Sequence, residues 1–296
     1  LARRPGWREM VHSRLVSVFG QRAQRDAMRL FSLLTLRAAS LALLPFLPLI
    51  SQPAEAREKP AGGVGVEQVT PGGAAEKAGI QAGDALLSWV WTHGLSANSS
   101  KVSGKIENCF DWNLLFVERA QRGSVGVSGE RLEKPVKFEL PSVPSGDWGV
   151  TVRPWMGERD LKEYLTGKEL WGKGEGEKGL ALWRRLAEGA EKGPSLSCWL
   201  YLKTGDAWVK ERRWEEGQRA YQDALRVAGA LKSDFARCRI WLSAGKGYEG
   251  QRELQKAEAA YRKAAEIAQG GLGESLMLSL ALNYLGLVAE KRGDPE

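Results

Sequence analysis

The spacing of apolar residues along the chain changes character twice. An apolar run from Ala38 to Ile50 follows a basic stretch that holds Arg29 and Arg37. Between Val64 and Leu140 the pattern is that of short strands and turns. Val64, Val66 and Val69 mark a strand, Pro71-Gly72-Gly73 a turn, the small residues Ala74 to Ala78 a short helix, and Leu86, Leu87, Trp89 and Val90 the next strand. Trp112, Leu115, Phe116 and Arg119 then fall at helical spacing within Phe110 to Arg122, and Gly123 stops that helix. Val125, Val127, Val136, Phe138 and Leu140 alternate as a hairpin around Glu130 to Lys134, and Asp147 to Arg153 reads as one more strand. From Trp155 onward β-branched residues thin out and Ala, Glu, Lys, Arg and Leu recur at helical period. The pattern predicts an α+β multidomain chain: a small β-rich unit with two helices over 57–155, then an all-α array over 156–296.

The helical part repeats itself. Glycine recurs at 167, 205, 245 and 286, separated by 38, 40 and 41 residues. Twelve positions after each of the first three stands another small residue, Gly179, Gly217 and Ala257. Four further on comes an aromatic one, Trp183, Tyr221 and Tyr261, with Ala224 and Ala264 three later in the last two. Two helices approach closely only where side chains are minimal, and the aromatic ring fills the space beside them. Over about 158–296 this phase resembles the tetratricopeptide repeat, which implies a right-handed solenoid of helical hairpins. The segment from Leu278 to Arg292 repeats the first helix of a hairpin without its second. On that reading the helix exposes an apolar face, and the chain is expected to be the N-terminal part of a longer one.

The run Val69-Thr-Pro-Gly-Gly-Ala-Ala-Glu-Lys-Ala-Gly-Ile-Gln-Ala-Gly-Asp84 closely resembles a bacterial PDZ domain of the sort attached to exported serine proteases, and the resemblance extends over about 62–141. It implies a small β-sandwich or barrel that binds an extended peptide as an added strand, with main-chain hydrogen bonds giving affinity and side-chain pockets specificity. Gly63-Val64-Gly65-Val66 imitates the family's carboxylate-cradling loop, yet it lies too close to Gly83-Asp84 to hold that position in the fold. The ligand-side strand is therefore assigned to Asp147 to Arg153. That assignment makes the fold circularly permuted or fills the groove with the protein's own chain. Asp84, directly after a glycine, reads as a turn-fixing carboxylate rather than a catalytic one.

Charge changes the picture only at the front of the chain. The whole sequence carries 43 Lys+Arg against 36 Asp+Glu, a net of +7. Eight arginines and three acids lie in residues 1–56, which leaves 35 basic and 33 acidic residues in the body. The body has no electrostatic footprint for nucleic acid. The apolar segment 38–50 would cover only about 20 Å of a roughly 30 Å hydrocarbon core, and Pro45 and Pro48 interrupt it. With Ala54-Glu55-Ala56 behind it, residues 1–56 read as upstream sequence plus a signal peptide cleaved before Arg57. Export to the periplasm or beyond follows, with membrane contact only in transit. The alternative keeps 30–50 as an inner-membrane anchor.

Two histidines and three cysteines leave little material for a metal site or a nucleophilic triad. Cys198 and Cys238 occupy the same phase of neighbouring repeats, too far apart to bridge, and read as core thiols. No phosphate loop, nucleophile elbow or His-Glu-x-x-His motif occurs. The sequence therefore predicts no enzyme activity, no cofactor and no metal. It predicts an exported scaffold that binds peptide or protein segments. Candidate contacts are Val64, Val66, Trp112, Leu115 and Phe116 in the first unit, and Tyr201, Trp208, Lys210, Arg239 and Asn283 in the array. A second expectation, by family analogy alone, is the regulatory front of a longer exported peptidase of caspase-like Cys/His or serine type.

Overall fold

The computed structural model describes residues 62–93, 100–143, 147–189 and 193–293. The leader, with its apolar run 38–50 and the cleavage sequence at 54–56, lies outside them. Among the described residues no helix is long and apolar enough to cross a membrane. Glu58–Glu296 forms one compact unit, and its architecture is α+β.

Among the described residues six antiparallel strands come first: β1 (Val64–Val69), β2 (Ala85–His93), β3 (Ser100–Lys105), β4 (Ser124–Arg131), β5 (Lys134–Leu140) and β6 (Val150–Pro154). The sheet runs β5-β4-β2-β1-β6, and β3 pairs with the far part of β2. Helix α1 (Ala74–Lys77) joins β1 to β2, and α2 (Cys109–Glu118) joins β3 to β4. Asn108 starts α2 by accepting from the Phe110 and Asp111 amides, while the Asp111 carboxylate accepts from the Asn108 amide. The β4–β5 turn places Leu132 and Glu133 in the left-handed region, at φ 49° and 64°, the twist a two-residue hairpin needs. Asp84 does what its place after Gly83 predicts and accepts from the Gln81 amide at 2.8 Å. Its carboxylate also receives two guanidinium nitrogens of Arg131, at 2.7 and 2.8 Å, a pairing across the sheet that turn chemistry does not foretell.

Among the described residues seven helices follow: α3 (Glu158–Gly172), α4 (Gly176–Glu188), α5 (Pro194–Lys210), α6 (Trp214–Leu231), α7 (Asp234–Gly250), α8 (Leu254–Gly271) and α9 (Leu276–Arg292). Consecutive helices pack as hairpins, α3 with α4, α5 with α6 and α7 with α8, while α9 packs on α8. The repeat glycines set the closeness of each pair. A Cβ added at Gly205 would lie 2.4 Å from Cε1 of Tyr221, and one at Gly245 would lie 2.4 Å from Cε1 of Tyr261. Gly167 meets Trp183 in the same way, at 2.6 Å from the indole nitrogen. The fourth glycine breaks the series: a Cβ at Gly286 would meet nothing within 4 Å, because no helix among the described residues covers that side of α9.

The sheet and the helices share one continuous core. Helix α2 packs against α5, α7 and α9, and β6 packs against α5. Two carboxylates fasten this junction. A register shift between Val66 and Gln68 leaves Glu67 as the extra residue of a bulge. Bulges re-aim side chains, and here the carboxylate reaches Lys168 at 2.5 Å and the Tyr164 hydroxyl at 3.4 Å, both on α3. At the other end Glu118 accepts from the first amides of α9, Leu276 at 3.1 Å and Met277 at 3.3 Å.

Candidate functional site

Val64 and Val66 do not lie on an edge of the sheet, whose terminal strand on that side is β6. Strand β1 is interior, paired with β2 on one side and with β6 on the other, where Val64 faces Pro154 and Val66 faces Val152. Val64 and Val66 are therefore core residues, 0% and 1% exposed, and neither cradles a carboxylate. The assignment of the neighbouring strand to Asp147–Arg153 agrees with the position of β6. Trp148, just before β6, is buried against α2. Its ring lies 5.5 Å from that of Trp112 and 5.4 Å from that of Phe116, and its indole N–H donates to the Pro141 carbonyl at 2.8 Å. Trp112 and Leu115 are buried and Phe116 half-buried, so the three hold α2 to the protein's own chain rather than to a ligand. The physical reason is the nine-residue return from β5 to β6, residues 141–149, which brings the Trp148 indole against α2.

The first helices α5 and α7 of the array carry exposed charged residues. On α7, Arg239, Ser243 and Lys246 follow one another at helical spacing, and the Arg239 guanidinium donates to Ser243 Oγ at 2.5 Å. Arg239 also faces Asp206 of α5, 3.6 Å between nitrogen and oxygen, and Asp206 accepts from the Tyr221 hydroxyl at 2.9 Å. Burial, with Asp206 alongside, pushes the Tyr221 hydroxyl well above the usual phenol range, so it stays a donor. Lys203 is exposed with its ammonium 5.5 Å over the Trp199 ring, and Lys246 is exposed with its ammonium 4.9 Å over that of Tyr284. Among the described residues no carboxylate pairs with either. Asn283, next to Tyr284 on α9, is half-exposed, as is Arg239.

The array candidates thus separate. Arg239 and Asn283 are accessible on the first-helix face, and Lys210 is exposed at the end of α5. Tyr201 is a core residue, 5% exposed, on the other side of α5 beside Asp223 and Arg226 of α6. Trp208 is half-buried where α5 turns into α6, with the Arg213 guanidinium 4.3 Å over its ring. Lys203 and Lys246 were missed, because the ring that each ammonium covers is fixed by packing rather than by the repeat.

The cysteines carry no chemistry. All three are free and buried. Cys198 donates to the Ala224 carbonyl at 3.6 Å and Cys238 to that of Ala264 at 3.4 Å, equivalent contacts in successive hairpins. Burial pushes both thiols up to about 12, far from a nucleophilic thiolate. Among the described residues no group of three or more His, Cys, Asp or Glu could hold a metal ion.

No family model matches the chain, and no curated protein does. Among solved structures, the crystal structure of BtubC (BKLC) from P. vanneervenii is similar over 45% of this chain at 20% identity, with a TM-score of 0.39. The chain spans 56% of that structure's length. A likeness this slight carries no argument about fold or function.

Proposed function

We propose that this chain is an exported interaction scaffold: a PDZ-like unit, its own groove filled, braces a tetratricopeptide-like array whose open face holds an acidic segment of a partner protein. The observation that carries the reading is the pair Lys203 and Lys246. Two exposed ammonium groups, held over aromatic rings and left without carboxylates, share a face whose other charges, Arg239 and Asp206, answer one another. A carboxylate-bearing segment laid along that face would meet both, and Asn283 and Lys210 would extend the contact. The PDZ-like reading is supported by the Val69 to Asp84 run, which folds as strand, short helix and carboxylate-fixed turn. The repeat reading is supported by the equal approach of Gly205 to Tyr221 and of Gly245 to Tyr261. Export rests on the leader sequence.

Panning a random peptide library against residues 57–296 should enrich Asp- and Glu-rich sequences whose binding weakens as salt is raised. The double variant Lys203→Glu/Lys246→Glu should lose about tenfold or more in affinity for the enriched peptides, with its thermal midpoint unchanged. Equal binding by the double variant would refute the open-face reading.

A further inference from the structure

The outer side of α9 repeats a surface that the two preceding hairpins keep covered. Gly286 stands where Gly205 and Gly245 stand in α5 and α7. In those helices the position seven before the glycine is Cys198 or Cys238, and the position four before it is Tyr201 or Trp241. Both cysteines, both glycines and Tyr201 are buried and Trp241 is half-buried, with α6 packed on α5 and α8 on α7. The matching residues of α9 are Ser279, Leu282 and Gly286, and all three are exposed. The bare face of α9 is thus the one on which a hairpin closes, and among the described residues no helix closes it.

The two closed hairpins show what such a face holds. Sixteen residues after the glycine comes a tyrosine, Tyr221 or Tyr261, whose ring edge lies against it, 2.4 Å from where a Cβ would stand. Four before the tyrosine is a small residue, Gly217 or Ala257. The approach there is close, since a Cβ at Gly217 would lie 3.3 Å from the Gly205 carbonyl oxygen. Three after the tyrosine, Ala224 or Ala264 offers its carbonyl to the cysteine thiol.

A polar contact makes the requirement more specific. In the α7–α8 hairpin the Tyr261 hydroxyl donates at 2.8 Å to Glu249, which lies four residues after Gly245. Four residues after Gly286 comes Glu290, exposed and in no ion pair among the described residues. The bare face therefore presents both the glycine seat for an aromatic ring and the carboxylate acceptor for its hydroxyl. A second α9 does not supply that ring. Its one aromatic residue, Tyr284, is stacked on Tyr261 with centroids 5.0 Å apart, on the side of the helix that faces α8.

We propose that the outer face of α9 is a docking site for an amphipathic helix of a partner protein with the pattern small-x-x-x-Tyr-x-x-Ala. The helix lies antiparallel to α9, with its tyrosine ring on Gly286 and the tyrosine hydroxyl donating to Glu290. This site rests on the hairpin contacts alone and does not depend on the acidic-segment reading above.

The probe is a fluorescently labelled peptide with the sequence of α8, residues 254–271, titrated into residues 57–296 and followed by anisotropy. Saturable binding is expected. The peptide carrying Tyr261→Phe should bind about threefold more weakly, having lost the hydroxyl bond to Glu290, and the one carrying Tyr261→Ala about tenfold more weakly. In the chain, Gly286→Leu occupies the seat and should abolish binding. Its thermal midpoint should not fall, since a Cβ at Gly286 meets nothing within 4 Å. The proposal is overturned if the peptide does not bind, if Gly286→Leu binds it like the parent chain, or if the Tyr261→Ala peptide binds as tightly as the unaltered one. A dimer of residues 57–296 in sedimentation velocity that Gly286→Leu dissociates would also overturn it, by giving the face to a second copy.

Discussion

A methyl group distinguishes the repeat glycines from one another more sharply than sequence spacing does. Gly205 and Gly245 each face an aromatic ring edge at a distance no Cβ tolerates, so Gly205→Ala or Gly245→Ala must push Tyr221 or Tyr261 out of its hydrogen bond with Asp206 or Glu249. Each substitution should destabilise the chain by about 1–3 kcal/mol, read as a lower midpoint in thermal or urea unfolding. Gly286→Ala adds its methyl to open space within a helix and should be neutral or stabilising, by up to about 1 kcal/mol. If all three variants behave alike, the pairing of glycine with ring is not what sets the hairpin spacing. The thiols give a second reading at this scale. With burial holding Cys198 and Cys238 protonated, neither should react with Ellman's reagent at pH 8 before the chain unfolds. Fast native labelling of either would contradict its place in the core. Position and role of Gly205, Gly245 and the two cysteines were legible in the sequence because recurrence at a fixed period reports a recurring contact. Position alone did not reveal that Gly286 lacks a partner.

Among the elements, β1 and α9 are where local pattern and surroundings diverge most. The alternation of Val64 and Val66 announces a strand correctly, but it does not say which strands flank it. Two flanking strands make β1 interior and take its valines out of any ligand groove. The bulge at Glu67 is equally silent in the pattern, since a bulge is defined by the partner strand that it slips against. Helix α9 begins with a Ser275 cap on the Leu278 amide and gains two further acceptor contacts from Glu118, which lies far away in sequence. Glu118→Ala should cost about 1–2 kcal/mol and selectively speed hydrogen exchange at the Leu276 and Met277 amides. Uniform acceleration throughout the protein would show that Glu118 acts on global stability instead of on this helix end. Along the same helix Leu282 and Leu287 remain 49% and 41% exposed, on an element that no helix among the described residues covers on its outer side.

For the molecule as a whole, the junction between sheet and helices decides what is available for binding. Helix α2 lies against three first helices of the array, and Trp199, Leu202 and Leu242 are buried within the core that the two parts share. The consequence is cooperative. Residues 57–296 should unfold in a single calorimetric transition rather than as a sheet unit and an array in succession. Two resolved transitions would show that the junction is weaker than its continuous core implies. The same packing explains why the predicted sheet contacts Trp112, Leu115 and Phe116 are not surface residues: they meet Trp148 and the helices, so the accessible chemistry lies on the array.

Apart from β3, which stands at Ser100–Lys105 where the sequence reads as a loop over Thr92 to Lys105, the order and type of the elements, the hairpin at Leu132-Glu133, the turn fixed by Asp84 and the forty-residue helical period were settled by the sequence, because each depends on residues close together in the chain or on a contact that repeats. Which faces stay open was settled only by the tertiary structure. Burial at β1, burial of Trp148 against α2 and the exposure of Lys203 and Lys246 all depend on which distant segment arrives beside them. That choice is made by the total packing of the chain and leaves no local mark in the order of its residues.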